Sequence, residues 1–137
     1  MNRKFFYVLM VLVVLISFSG FFWFYETQYM VGRADVSRYS FSADNSYIFV
    51  SPLQAKANGQ EKIRITVFIL NNQGLGVMGK KVTLEPVPHL SIEAIQGLSD
   101  NLGKSVFDVT ANQAGEYYVS VKVEDTSLNQ KAHVSFN

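Results

Sequence analysis

The sequence predicts an all-β domain, an antiparallel sandwich of about seven strands, preceded by one N-terminal transmembrane α-helix. Three features of the 137-residue chain carry that expectation. Phe5 to Tyr25 is a run of 21 residues without a charge. Beyond Ser40, apolar and polar residues alternate with period 2, and no segment sustains a 3.6-residue period. Between the alternating runs, Asx and Gly recur side by side, which is the chemistry of tight turns. The organisation read from these features is a flank at 1–4, a transmembrane helix at 5–25, a stalk at 26–40 and a β-sandwich at 41–137.

The helix comes first. At 1.5 Å per residue its 21 residues span about 31 Å, the thickness of a hydrocarbon core. Arg3 and Lys4 precede it directly, and cytoplasmic flanks are the ones enriched in such cations. The N-terminus is therefore expected inside and the C-terminal domain outside the cytoplasm, in a single-pass membrane protein. Phe5 opens the run, and Phe21, Phe22, Trp23 and Tyr25 close it as an aromatic cluster of the membrane–water interface. These five residues are the expected membrane anchor. A cleaved signal peptide is the rival reading, with Ser17 and Ser19 ahead of a cut at Gly20. It would leave an exposed Gly-Phe-Phe-Trp-Phe-Tyr end, so the anchor fits better. Residues 26–40 show no clear period and read as a short stalk.

The strands follow. In Lys62–Leu70, Ile63, Ile65, Val67 and Ile69 face one way while Lys62, Arg64 and Thr66 face the other. Glu116–Glu124 repeats the pattern, with Tyr117, Val119, Val121 and Val123 inward. Lys81–Glu85, Lys104–Thr110 (Phe107 and Val109 inward) and Lys131–Phe136 do so over shorter lengths. Pro52 follows Ile48-Phe49-Val50 and cannot donate to a ladder, so this first strand is expected at an edge, switching sheets there. Pro86–Leu98 reads as a loop. Short strands with turn signals at this density make an Ig-type sandwich.

Ala57-Asn58-Gly59, Ile65-Thr66-Val67 and Asn71-Asn72-Gln73-Gly74 come in order along the chain. They are followed by Gly79 to Leu84, Ser99 to Lys104, Phe107 to Thr110 and Ala114-Gly115-Glu116-Tyr117. In order and spacing these stretches resemble bacterial Ig-like domains of the invasin/intimin type, over about Ser46 to Phe136. The resemblance implies an Ig-like fold. Family members usually carry Asp at the position of Asn71 and Pro at that of Gly76, so a looser turn is expected there. Tandem domains behind a β-barrel anchor are usual in the family, whereas one domain behind one helix is read here. The similarity to Ig sandwiches also implies a hydroxyl-to-backbone bond from Tyr117.

Composition and motifs give no chemistry. Beyond the helix, ten basic residues balance eleven acidic ones without a basic run, which argues against nucleic acid. With no cysteine there is no disulfide, thiolate metal site, thiol nucleophile or lipid-modified cysteine. His89 and His133 have no partner ligand at metal-site spacing. Asp100-Asn101-Leu102-Gly103 lacks the alternating oxygens and closing Glu of a calcium loop and reads as a turn. Glu124-Asp125 reads as a solvated hairpin. No nucleophile elbow, P-loop or dinucleotide fingerprint occurs. No catalytic, cofactor or metal residue is expected, and no small-molecule substrate.

What remains is a contact surface. Phe68 and Leu70 fall on the outward side of an otherwise polar strand face, where exposed apolar groups mark protein interfaces. The expected function is a non-enzymatic, membrane-anchored extracytoplasmic Ig-like module for protein–protein contact or structural assembly at the cell envelope. Its partners are the bilayer, through the helix, and another envelope protein or a copy of itself. The alternative is a pilin-like filament subunit whose hydrophobic helix bundles in a fibre core.

Overall fold

The computed structural model describes residues 2–137, and for residues 27–39 it describes the backbone alone. The chain divides into two compact units, Met1–Val36 and Ser37–Asn137. Helix α1 runs Arg3–Tyr39. Within it Arg3–Glu26 is a candidate membrane span of mean hydropathy 2.5, and its large apolar side chains are exposed on every side. The helix carries on through most of the segment read as a stalk. Residues 26–39 contain no proline to stop it, and the single Gly32 costs only about 1 kcal/mol.

The second unit is a two-layer sandwich, antiparallel but for the pairing of Gln54–Ala55 with Ser135–Phe136. One sheet orders β1 (Tyr47–Ser51), β3 (Ile63–Phe68), β6 (Lys104–Ala111) and β5 (Leu90–Gln96). The other orders β2 (Gln54–Ala55), β8 (Thr126–Phe136), β7 (Gly115–Val123) and β4 (Val82–Leu84). Between them lies the core. Ile63, Ile65, Val67 and Ile69 of one sheet meet Val119, Val121, Val123 and Val134 of the other, all fully buried. The alternation read from Lys62–Leu70 and Glu116–Glu124 is thus the inward face, with Tyr117 only half-buried at the end of its strand.

Pro52 does divide the first strand. β1 is the edge of one sheet, and two residues past the Ser51–Pro52 bond β2 joins the other sheet, parallel to β8. The strand total is eight because this first run counts twice and because Pro86–Leu98 is not a loop throughout. Leu90–Gln96 is edge strand β5, paired with β6. Its alternation hides in the sequence because the register shifts between Ala94 and Gln96, and a bulge reverses the phase of inward and outward residues.

The turn at Asn71 is tighter than its departure from the family pattern implied. Asn71 is buried, and its Oδ1 accepts the N–H groups of Gln73 (2.9 Å) and Leu75 (3.0 Å), the work an Asp would do. Gly76 lies against the Leu102–Gly103 backbone so closely that a Cβ would sit 2.2 Å from the Leu102 carbonyl carbon.

Tyr117 forms the corner expected of it, donating its hydroxyl to the Gln113 carbonyl at 2.7 Å. Its ring meets Phe136 edge to face, centroids 6.2 Å apart. Tyr117→Phe removes the hydrogen bond and keeps the ring, so thermal melts should show a loss of about 1 kcal/mol.

Candidate interaction surface

Cross-strand register decides which aromatic residues gather on the outer face of the β1-β3-β6-β5 sheet. Tyr47 of β1 pairs with Phe68 of β3, and two residues on, Phe49 pairs with Thr66. The Tyr47 and Phe68 rings stack with centroids 4.9 Å apart and planes 19° from parallel. Phe68 is half-buried, whereas Tyr47 is 46% and Phe49 57% exposed. The three rings form an aromatic corner at the β1 edge, and β1 contributes more of its exposed area than β3.

Leu70 is also half-buried. Its N–H donates to Ser46 Oγ (3.0 Å), its carbonyl accepts from the Ser42 N–H (2.7 Å), and Asn45 Nδ2 holds the next carbonyl, that of Asn71, at 3.0 Å. Phe68 and Leu70 therefore lie together at one end of the sheet, partly shielded by Tyr47 and the 42–46 turn. The Pro86–Leu98 segment does not cover them, since β5 is the opposite edge of this sheet. Sequence alternation marks Phe68 as outward but does not place Tyr47 and Phe49, aromatics unaccounted for by lipid or core, beside it, because membership of a shared face depends on register rather than on local pattern.

Below the aromatic corner the face is ionic. Arg64 and Asp108 are cross-strand partners, and Arg64 grips the buried carboxylate at 2.8 Å (Nε to Oδ1) and 3.1 Å (Nη2 to Oδ2). Lys62 pairs beside them with Glu93 at 2.7 Å. The Arg64 hydrogen bonds hold the Asp108 carboxyl below its usual range, against the opposing effect of burial. A depressed carboxyl stabilises the fold fully above the unfolded value of about 3.9, and that share is lost as pH falls through the folded value. Asp108→Asn should cost about 1–2 kcal/mol at neutral pH, screening at the largely exposed guanidinium limiting the loss. Its melting deficit relative to wild type should narrow below about pH 4.

The other residues singled out in the sequence are dispersed. Phe5, Phe21, Phe22, Trp23 and Tyr25 lie on α1, each more than half exposed. His89 occupies the β4–β5 turn with φ 65°. His133 is on the outer face of β8, stacked on Tyr118 at 4.7 Å and bonded through Nε2 to Glu116, whose carboxylate also accepts from Ser135 Oγ at 2.9 Å. Those two contacts hold the Glu116 carboxyl below its usual range. Asp100 Oδ1 accepts the N–H groups of Leu102 and Lys104, both at 2.9 Å, which makes this segment a turn. Glu124-Asp125 is the two-residue link between β7 and β8, with Glu124 at φ 55° and ion-paired to Lys80 at 3.2 Å. Among the described residues no group of three or more His, Cys, Asp or Glu side chains is placed to hold a metal.

The sandwich is similar to several solved structures. One is invasin, a bacterial integrin-binding protein, at TM-score 0.63 and 22% identity over 71% of this chain and 20% of that one. The Yersinia pseudotuberculosis protein InvD matches at TM-score 0.63 and 16% identity, over 72% of this chain and 30% of that one. A C-terminal fragment of intimin, solved in complex with the intimin-binding domain of the translocated intimin receptor, matches at TM-score 0.58 and 25% identity. That match covers 71% of this chain and 33% of the fragment. The chain thus spans a third or less of each of these structures. No curated protein matches it in sequence. The family model described as bacterial Ig-like domain (group 1) matches residues 45–137, the whole of the sandwich from just before β1 onward, and the chain belongs to that family.

Proposed function

We propose that this chain is a non-enzymatic contact module of the cell envelope. In this reading α1 anchors it in the membrane with the N-terminus in the cytoplasm, and the Ig-like domain meets another envelope protein or a second copy of itself outside. One observation carries the reading: an Ig-like domain of this family, from residue 45 onward, stands C-terminal to a 24-residue apolar helical span whose side chains are exposed. Two structurally similar proteins are named for protein partners, an integrin for invasin and a translocated receptor for intimin, which favours protein contact over chemistry. The contact surface is the aromatic corner of Tyr47, Phe49 and Phe68, extended to Leu70. It offers ring area at low entropic cost, as interfaces do.

Two measurements test this. The protein should stay with the membrane fraction through carbonate washing with its first residues intact, and a mature N-terminus at Gly20 would overturn the anchor. Crosslinking in intact membranes should be weakened by Phe68→Lys with Leu70→Lys, and by Phe49→Lys alone. Phe49 is the cleaner probe, being exposed and outside the Tyr47–Phe68 stack. An unchanged crosslinking pattern in all variants would retire this face.

A further inference from the structure

The outer face of the β1-β3-β6-β5 sheet carries a continuous row of charges across its strands. Arg64 of β3 holds Asp108 of β6 at 2.8 Å. The Lys62 ammonium lies between Asp108, at 4.0 Å, and Glu93 of β5, at 2.7 Å. From β3 to β5 the row therefore reads positive, negative, positive, negative, with no net charge. Two residues along β6 from Asp108, Val106 stands in register between Thr66 and Gln96. Apolar groups flank this centre on both sides. Tyr47, Phe49 and Phe68 stand toward β1, and Ile95, 51% exposed, lies on edge strand β5.

An alternating row decides how a second copy can meet this face. Two identical faces in contact are related by a two-fold axis in the plane between them. An axis parallel to the strands, through the middle of the row, reverses its order. Arg64 then comes opposite Glu93 of the second copy and Asp108 opposite its Lys62, so all facing charges are of opposite sign. An axis across the strands keeps the order and sets like charges against each other. The parallel axis also brings the aromatic corner of each copy to the Ile95 side of the other, and Val106 meets its own counterpart. Both 42–46 turns then lie at the same end of the pair, as two chains anchored in one bilayer require.

We propose that this face is an isologous interface between two copies of the chain, with the two-fold axis parallel to the strands. The assignment rests on the face being a protein-contact surface. Each charge keeps its partner within the sheet and gains a second one across the interface, so none is stranded on desolvation. The face is small: four strands span about 19 Å, and the six residues of β3 about 20 Å. That is below the roughly 800 Å² per partner of a standard interface, so the pair forms where anchors confine both copies to one membrane.

The chain has no cysteine, so a single introduced thiol reports the axis. The full chain carrying Val106→Cys is reconstituted in phosphatidylcholine liposomes and treated with a bismaleimide spanning about 10 Å, the separation of packed sheets. The expected result is a covalent dimer, about tenfold more abundant than with Ser120→Cys on the outer face of the other sheet. Lys62→Glu combined with Glu93→Lys keeps an ion pair at these positions and leaves the net charge unchanged, but the row then faces like with like. This exchange should lower the Val106→Cys dimer about tenfold in a protein that still melts cooperatively. If it unfolds the domain, Ile95→Lys, exposed and outside the row, takes its place, with a drop of about threefold expected. Equal dimer from Val106→Cys and Ser120→Cys overturns the proposal, as does a dimer indifferent to these changes in a folded protein. If self-crosslinking fails while Phe49→Lys still weakens crosslinking in intact membranes, the face meets a different protein and only the self-association falls. If both fail, the contact reading falls with it.

Discussion

Val67→Asp and Val121→Asp are each expected to unfold the sandwich domain. Val67 of β3 and Val121 of β7 face each other's sheets from the two sides of the core, both at 0% exposure. A carboxylate at either position enters an apolar core without a counter-charge, the buried Ser105 hydroxyl opposite Val67 being the one polar side-chain group paired across the ladder from either site. Burial without a partner costs several kcal/mol, a large part of the 5–15 kcal/mol that holds a domain together. Ser127→Asp is the control. Ser127 is exposed on β8 and pairs across the ladder with Lys122, so the new charge stays in water beside a cation and the change should lie within about 0.5 kcal/mol. Circular dichroism melts of the three variants separate the outcomes. Equal damage from inward and outward changes would mean that the register is wrong.

Gly103→Ala is expected to be nearly as damaging, although it adds a single methyl group. Gly103 has φ +75°, where a Cβ is strained by about 1–2 kcal/mol. There is also no room. The added Cβ would lie 2.1 Å from the Ile69 carbonyl oxygen and 3.0 Å from both Gly76 Cα and Val77 N. Those atoms are backbone and cannot rotate away. Ile69 is itself tied to this turn, its N–H donating to the Gly103 carbonyl at 2.7 Å. Relief of the clash would break that bond and separate the loop from β3. A loss of at least about 3 kcal/mol is expected. Gly74→Ala is the comparison, because Gly74 has a similar φ of +76° with open space around it and should show the backbone strain alone. If the two variants melt together, the close approach contributes nothing.

Much of this architecture is legible in the residues. Ile63, Ile65, Val67 and Ile69 encode their face locally, since a strand's inward set depends only on period 2. Pro52 marks the change of sheet, because a missing N–H acts where it stands. Tyr117 was placed at its corner by resemblance, and the hydroxyl bond to Gln113 bears this out. Features that depend on register were not legible. The Arg64–Asp108 pair joins residues 44 positions apart, and the Tyr47–Phe68 stack depends on how β1 slides along β3. β5 was hidden by its own bulge. The Gly76–Gly103 contact joins two turns, each with only ordinary turn composition.

The pairing of β2 with β8 has a consequence for the order in which the domain assembles. Gln54 lies beside Ser135 and Ala55 beside Phe136, and the join is extended by the Ala57 N–H on the Asn137 carbonyl at 2.9 Å. The second strand of the domain therefore has its partner in the eighth, about 80 positions further along the chain. The other sheet has a shorter wait at its first pairing, since β1 residues meet β3 partners only 13 (Ser51–Arg64) to 21 (Tyr47–Phe68) positions further along. Contacts this distant in sequence close late because loop entropy is lost before they form, and sandwiches dominated by them fold in milliseconds to seconds. A domain delivered in chain order would therefore begin with half its fold unmade. The β1–β3 pair can form early, while the β2-β8-β7-β4 sheet stays open until β8 is in place.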